Sequence, residues 1–293
     1  GVQSAKNRIA GYALRLKTRQ EKTQALQRNL DGVSVQLRTL EAKANMLREM
    51  ERDFEGFSKA VRLVMQEAAR GALSGVHGPV SKLIRVEDRY TTAIETALGA
   101  AMQNIIVDDE ASGKAAIQLL KRRDAGRATF LPLSTVTGRR LSEPSLANMP
   151  GYVGVASELA QTDGRYQGIL ENLLGRTVIA ETLDNAIAMA RKTGNRVRIV
   201  TLDGQVMNPG GSMTGGSSAK SAGVLSRANE LKRLEQEREK LLDTQSDYKK
   251  SLQQAQSQLA ETEYEIKTIG AELREAEDEV LRRTEEKKQV ERL

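Results

Sequence analysis

The stretch Asp203–Gly216, sequence DGQVMNPGGSMTGG, is where residue types and spacing most invite a chemical reading. Two glycine pairs, Gly210-Gly211 and Gly215-Gly216, flank Ser212, Met213 and Thr214. Glycine is needed where backbone takes a positive φ or approaches another group closely; that group is a phosphate, another backbone, or nothing. A phosphate loop requires G-x-x-x-x-G-K-[ST]. Lys220-Ser221 is preceded by Ala219 and, five residues earlier, Thr214, so both required glycines are missing. No G-x-G-x-x-G follows a strand either. A loop without a role fits the same composition. The preferred reading is an edge strand that adds to another chain's sheet, where glycines let two backbones meet without side-chain collision.

Other chemistry is thinly represented. The chain has no cysteine and a single histidine, His77, so no thiolate zinc site, Cys–His pair or histidine metal cluster can be assembled. His77 lies in a Gly/Pro-rich segment beside no obvious partner and reads as structural. Asp108-Asp109 has the look of a strand-to-helix cap, not of a catalytic pair. No catalytic residue, cofactor or metal site is expected in this segment. Basic clusters are the remaining candidates: Lys121-Arg122-Arg123 with Arg127, Arg139-Arg140, Arg196 with Arg198, and Lys220 with Arg227. Each has a plain alternative as a solvated face. Without interleaved aromatics they imply at most sequence-independent, salt-sensitive phosphate contact.

The elements that position these residues fall into three parts. Residues 71–225 are rich in Gly, Val and Ile and hold all five prolines; the flanks 1–70 and 226–293 have none. The chain has 293 residues, 29% of them charged and 3% aromatic, which suits long solvated helices better than one large core. No apolar run approaches the roughly 18 residues of a membrane helix, and no signal-peptide pattern opens the chain. Gly1 starts in mid-helix pattern and Leu293 stops in mid-heptad, which reads as a segment cut from a longer chain.

In the first flank Ile9, Tyr12, Leu16, Leu26, Leu30, Val33, Leu37, Leu40, Ala44 and Leu47 follow steps of three and four, with Arg19 and Thr23 as polar interruptions. Phe54, Val61, Met65 and Ala68 continue the register. The last flank repeats the pattern from Leu231 through Leu234, Leu241, Leu252, Ala255, Ile266 and Ile269 to Val280 and Val290. Its polar exceptions are Arg238, Gln245, Thr262, Arg283 and Lys287. Such seams predict coiled coils. Matched lengths and opposite net charge favour antiparallel pairing within the chain, placing Val33 near Ile266 and Ile9 near Val290. At ~1.5 Å per residue the arm is on the order of 100 Å long.

The central island carries an internal repeat. Arg89-Tyr90 through Glu95 to Leu98-Gly99 returns as Arg165-Tyr166 through Glu171 to Leu174-Gly175, at an offset of 76 residues. After each comes a strand (104–107, 177–180), a helix (111–121, 183–192) and a second strand (128–133, 197–202). Val80–Leu83 and Ala156–Leu159 are equivalent segments ahead of it. This predicts two α+β subdomains, 75–136 and 152–216, joined by a linker over 137–151. Tyr90 and Tyr166 read as core, and Gly99 and Gly175 as helix stops with left-handed backbone. The fold class expected is an α+β domain of two repeated subdomains, mixed sheets with helices, inserted in a long intramolecular antiparallel coiled coil.

Taken in order, Gly75–Val80, Ala93–Gly99, Thr129–Leu133, Leu173–Thr177, Val200–Gly204 and the Gly210–Gly216 motif resemble the hinge of an SMC (structural maintenance of chromosomes) protein, of the bacterial chromosome-partition and condensation type. The resemblance covers the island, with generic coiled coil outside it. It implies a homodimer in which Gly210, Gly211, Gly215 and Gly216, with Ser212, Met213 and Thr214, support the contact. It implies ATPase heads at the far ends of the arms, absent here, where a kleisin and an accessory subunit bind. It also implies a cytoplasmic, nucleoid-associated complex that entraps or bridges DNA, with weak DNA contact near the coil junction. A lysine run follows the glycine motif in some relatives, whereas here only Lys220 and Arg227 stand there. The other reading is a coiled-coil scaffold whose central domain is mainly a nucleic-acid-binding module.

Overall fold

The structure is a computed structural model that describes residues 2–217 and 223–291. The chain divides into two compact units. One is formed by the stretch up to Asn45 with that from Leu234 onward; the other is Met46–Arg233.

The first unit is a pair of antiparallel helices, the body of α1 (Val2–Arg52) and of α8 (Val224–Val290). Its burial follows the heptads. Leu37, Leu40 and Ala44 on α1, and Leu252, Ala255, Thr262 and Ile269 on α8, are buried, while most of the residues between them are exposed. Four of the polar seam residues find partners on the facing helix. Gln245 donates to the Ser34 hydroxyl at 3.0 Å, and Arg19 donates to the hydroxyl of Thr262, which is 1% exposed. Arg238 pairs with Glu41 at 3.0 Å, and Lys6 with Glu277 at 3.0 Å.

These contacts correct the expected register. Ser34 meets Gln245, so Val33 does not lie opposite Ile266, nor Ile9 opposite Val290. The slip is roughly 18 residues, on the order of 27 Å along a helix. Its cause lies in the other unit. Helix α1 stops at Arg52 in a turn where Phe54 and Gly56 take positive φ (50° and 89°). The chain then enters α2 (Lys59–Ala69), whose Ala60, Val61 and Val64 are buried in the core of the head with Phe57. Phe54, Val61 and Met65, read from the heptads as seam, therefore pack in the head. On α8, Val280 and Val290 are 55% and 72% exposed.

The second unit is the repeated α+β head. Its first half runs β1 (Val76–Pro79), α3 (Val80–Leu83), β2 (Ile84–Val86), α4 (Asp88–Leu98), β3 (Ile105–Val107), α5 (Glu110–Arg122) and β4 (Phe130–Pro132). The second runs β5 (Tyr152–Val155), β6 (Ala160–Thr162), α6 (Gln167–Leu174), β7 (Thr177–Ala180), α7 (Leu183–Lys192), β8 (Arg198–Thr201), β9 (Val206–Met207) and β10 (Met213–Thr214). Strands β3 and β4 are parallel, as are β7 and β8. This is the pairing that the crossover helices α5 and α7 require, and it explains why IIV and TVIA are fully buried.

The halves are joined by the antiparallel pair β2–β6, in which Arg85 stands opposite Gln161, its own counterpart at the 76-residue offset. An element pairing antiparallel with its own copy is the signature of a local two-fold axis. Around it lies the shared core, with Tyr90, Ile94, Leu98, Tyr166, Leu170 and Leu174 drawn from both halves. The sheets are ordered β1-β3-β4 and β10-β9-β8-β7-β5. Gly99 ends α4 with the positive φ expected of it, 51°, although its ψ of −127° lies outside the left-handed helical region. Gly175 does not, having φ −68°. Its requirement is close approach, since a Cβ there would lie 1.9 Å from the Arg139 carbonyl oxygen.

Candidate dimer edge and basic surface

The glycine motif is built outward from β8, a buried strand. Thr201 ends it, and its hydroxyl accepts from the Gln205 amide at 2.8 Å, turning the chain into β9. After Met207 a second turn closes with the Asn208 amide donating to the Ser212 carbonyl (2.8 Å) and the Gly211 amide to the Asn208 carbonyl (3.0 Å). Gly210 and Gly211 take φ of 88° and 95° there, which side-chain-bearing residues resist. Strand β10 then returns along β9, Met213 opposite Met207 and Thr214 opposite Val206. Gln205 clamps the far end: its amide oxygen accepts from the Gly216 amide at 2.8 Å and its amide nitrogen donates to the Gly216 carbonyl at 3.2 Å.

Strand β10 ends its sheet, with no neighbour on its outer side among the described residues. Both its residues are exposed, and Met213, 55% exposed, is a large apolar side chain in water. An open edge carrying an apolar side chain is a surface suited to strand addition. The turns hold the edge through hydrogen bonds within and beside the motif.

The basic candidates separate into two groups. Lys121, Arg122 and Arg123 close α5, Arg127 follows in the loop to β4, and Arg139 lies beyond. All five are exposed, without an ion-pair partner among the described residues. Arg123 lines a cleft with Lys59, Arg62 and Arg52, floored by Phe54, Leu63 and Met65. The others are committed internally. Arg140 pairs with Glu171 at 2.5 Å. Arg196 donates to the Thr193 carbonyl and reaches Glu143 at 3.6 Å. Arg198 is half-buried, its pKa lowered by desolvation, and donates to the Ala97 carbonyl at the end of α4 at 2.7 Å. Arg227 is 7% exposed and donates to the Glu55 carbonyl at 2.7 Å, which removes it as a surface contact for nucleic acid. Lys220 lies outside the described residues.

His77 has the partners its sequence surroundings do not reveal. Nε2 is 2.7 Å from Asp108 Oδ1, and Nδ1 is 2.9 Å from the Tyr166 hydroxyl. This ties the first half to the second. Asp109 caps α5 by accepting from the Ser112 amide at 2.8 Å. The adjacent carboxylates thus have separate structural tasks.

Sequence reasoning also missed the root of α8. Glu95 on α4 accepts from the Leu225 and Ser226 amides at 3.0 and 3.3 Å, capping the helix N-terminus. At the opposing end of α1, Lys82 donates to the Glu51 carbonyl at 3.0 Å. Cations on a helix C-terminus and an anion on an N-terminus both complement the helix dipole. The signal available was the recurrence of Glu95 as Glu171 in the repeat.

Comparison with known proteins agrees with this architecture. The family model described as SMC proteins Flexible Hinge Domain matches residues 73–190. The Chromosome partition protein Smc of Bacillus subtilis (strain 168) is 42% identical over 232 residues, which is 78% of this chain and 18% of that protein. That of Desulfitobacterium hafniense (strain Y51) is 38% identical over 221 residues, 74% of this chain and 18% of that protein. The chain therefore spans about a fifth of the length of these relatives. A crystal structure of an asymmetric dimer of the Geobacillus stearothermophilus SMC hinge domain superposes with a TM-score of 0.76 at 38% identity, covering 83% of this chain and 99% of that one. A match over nearly the whole of a solved hinge, in sequence as well as in fold, places this chain in the SMC family as a hinge domain with its flanking coiled-coil helices.

Proposed function

We propose that the head is a homodimerisation module and that β10, presented by Gly210, Gly211, Ser212, Met213, Thr214, Gly215 and Gly216, is the contact. The observation that carries this is the unpaired β10 edge with Met213 exposed at its centre. The G. stearothermophilus hinge of the same fold is described as a dimer. In this reading the dimer joins two arms of an Smc-type ATPase complex that entraps or bridges DNA during chromosome partition. Its heads, with their kleisin and accessory partners, lie in other parts of the protein, and the complex works on the chromosome in the cytoplasm. The hinge segment does no chemistry.

The test is mass in solution. Met213→Asp places a charge on the open edge without touching the core, so the expected result is a folded monomer by sedimentation. Replacing Gly210, Gly211, Gly215 and Gly216 with bulkier residues should do the same, with added strain at the positive-φ positions. A Met213→Asp protein that sediments as a dimer excludes β10 as the contact.

The free cations Lys121, Arg122, Arg123 and Arg127 favour a second property of the same module, weak and sequence-independent DNA binding. Their reversal to glutamate should abolish gel-shift binding, and wild-type affinity should fall steeply with added salt. Affinity indifferent to salt counts against it.

A further inference from the structure

The repeat places equivalent carboxylates, Glu95 and Glu171, at the same point of α4 and α6. Each grips the segment that leaves the other half. Glu171 of the second half holds the chain as it exits the first. It pairs with Arg140, and a Cβ on Gly138 would lie 2.5 Å from its carboxylate. Glu95 of the first half holds the chain as it enters α8 after the second half. It accepts from the Leu225 and Ser226 amides, and a Cβ on Gly223 would lie 2.2 Å from its carboxylate.

The two grips differ in kind. Glu171 is held by a guanidinium, which lowers its pKa along with the Gln167 amide and so stabilises the ionised form. Glu95 has no cation within ion-pair distance among the described residues. Burial raises its pKa in spite of the two amides and the more distant Arg227. A charge held in a site that disfavours it gains hydration when let go. Close by, the Nε of the buried Arg227 has no protein partner among the described residues.

We propose that Glu95 is a releasable latch on the root of α8, and Glu171 its fixed counterpart on the interhalf segment. Release exposes the Leu225 and Ser226 amides and frees the first turn of α8 from α4. The latch goes beyond the dimer reading and stands on contacts within one chain.

The chain lacks cysteine, so Asp88→Cys and Lys232→Cys, both at exposed positions of the head, carry spin labels cleanly. In the dimeric wild type, a narrow distance distribution is expected. Glu95→Ala should broaden it and speed hydrogen exchange at the Leu225 and Ser226 amides by about fivefold, the loss of a cap being worth on the order of 1 kcal/mol. Glu95→Gln keeps an acceptor and should stay narrow. Glu171→Ala should leave the α8 root unchanged. Gly223→Ala displaces the Glu95 carboxylate without altering α4 and should reproduce Glu95→Ala; it decides the matter if Glu95→Ala does not fold. An unchanged root in Glu95→Ala or Gly223→Ala overturns the latch, and so does equal broadening by Glu171→Ala. Sedimentation of the same samples reports the dimer separately, so monomers with an intact root refute the dimer contact and not the latch.

Discussion

His77 shows how far a single residue can be read. With Asp108 at Nε2 and the Tyr166 hydroxyl at Nδ1, the neutral ring has one satisfying arrangement: Nε2–H donates to the carboxylate and Nδ1 accepts from the phenol. Tyr166→Phe leaves Nδ1 without a donor in a little-exposed site, and the expected loss in denaturant unfolding is about 1–3 kcal/mol. At Glu95 the sign of the pH dependence follows from the raised pKa. The folded state binds the proton more tightly, so ionisation of Glu95 costs stability. That cost is absent below the unfolded pKa and complete above the folded one. Melting curves of Glu95→Gln against wild type should therefore coincide in acid and diverge in favour of Glu95→Gln as pH rises through the carboxylate range. Arg227 is the charged group facing Glu95 from α8, and it opposes the trend without reversing it. Composition and spacing exclude catalysis by cysteine, but they say nothing of which carboxylate meets which amide. Those partners are brought together across 31, 89 and 130 residues of chain.

At the scale of elements, periodicity carried the reading well and closure carried it poorly. Strands β3 and β7 and helices α5 and α7 stand where apolar runs and 3.6-residue spacing put them, because local burial dictates both. The heptads of α1 and α8 were legible for the same reason. Their mutual register was not, because it depends on where α1 ends. Phe54, Val61 and Met65 fit a seam and a head core equally well by spacing alone. The observed register is directly testable. Ser34→Cys with Gln245→Cys should cross-link within one chain under a short bismaleimide, whereas Val33→Cys with Ile266→Cys should not. The reverse result would restore the longer pairing. Glycine offers a similar lesson. Gly210 and Gly211 need positive φ, but Gly175 needs only the missing Cβ, a distinction that rests on the Arg139 carbonyl and is invisible in sequence.

At the scale of the molecule, a head with a local two-fold axis through β2 and β6 has two similar faces, and only the second half extends its sheet through β9 to the open β10. In the proposed dimer, this extension supplies the edge that each copy offers. In a two-fold dimer the edge is used once by each copy, so Met213→Asp acts twice and should remove the dimer altogether.

The helix pair has a mechanical consequence of its own. Arg19 with Thr262, and Ser34 with Gln245, are keyed teeth spaced along an otherwise greasy seam. A slide by one heptad sets Arg19 against Ala255 or Ile269 and leaves Thr262 buried without its donor. Tension applied to one strand of the arm is thus shared by the other, because the two rods cannot creep past each other in small steps. They hold, or they disengage at several keys together.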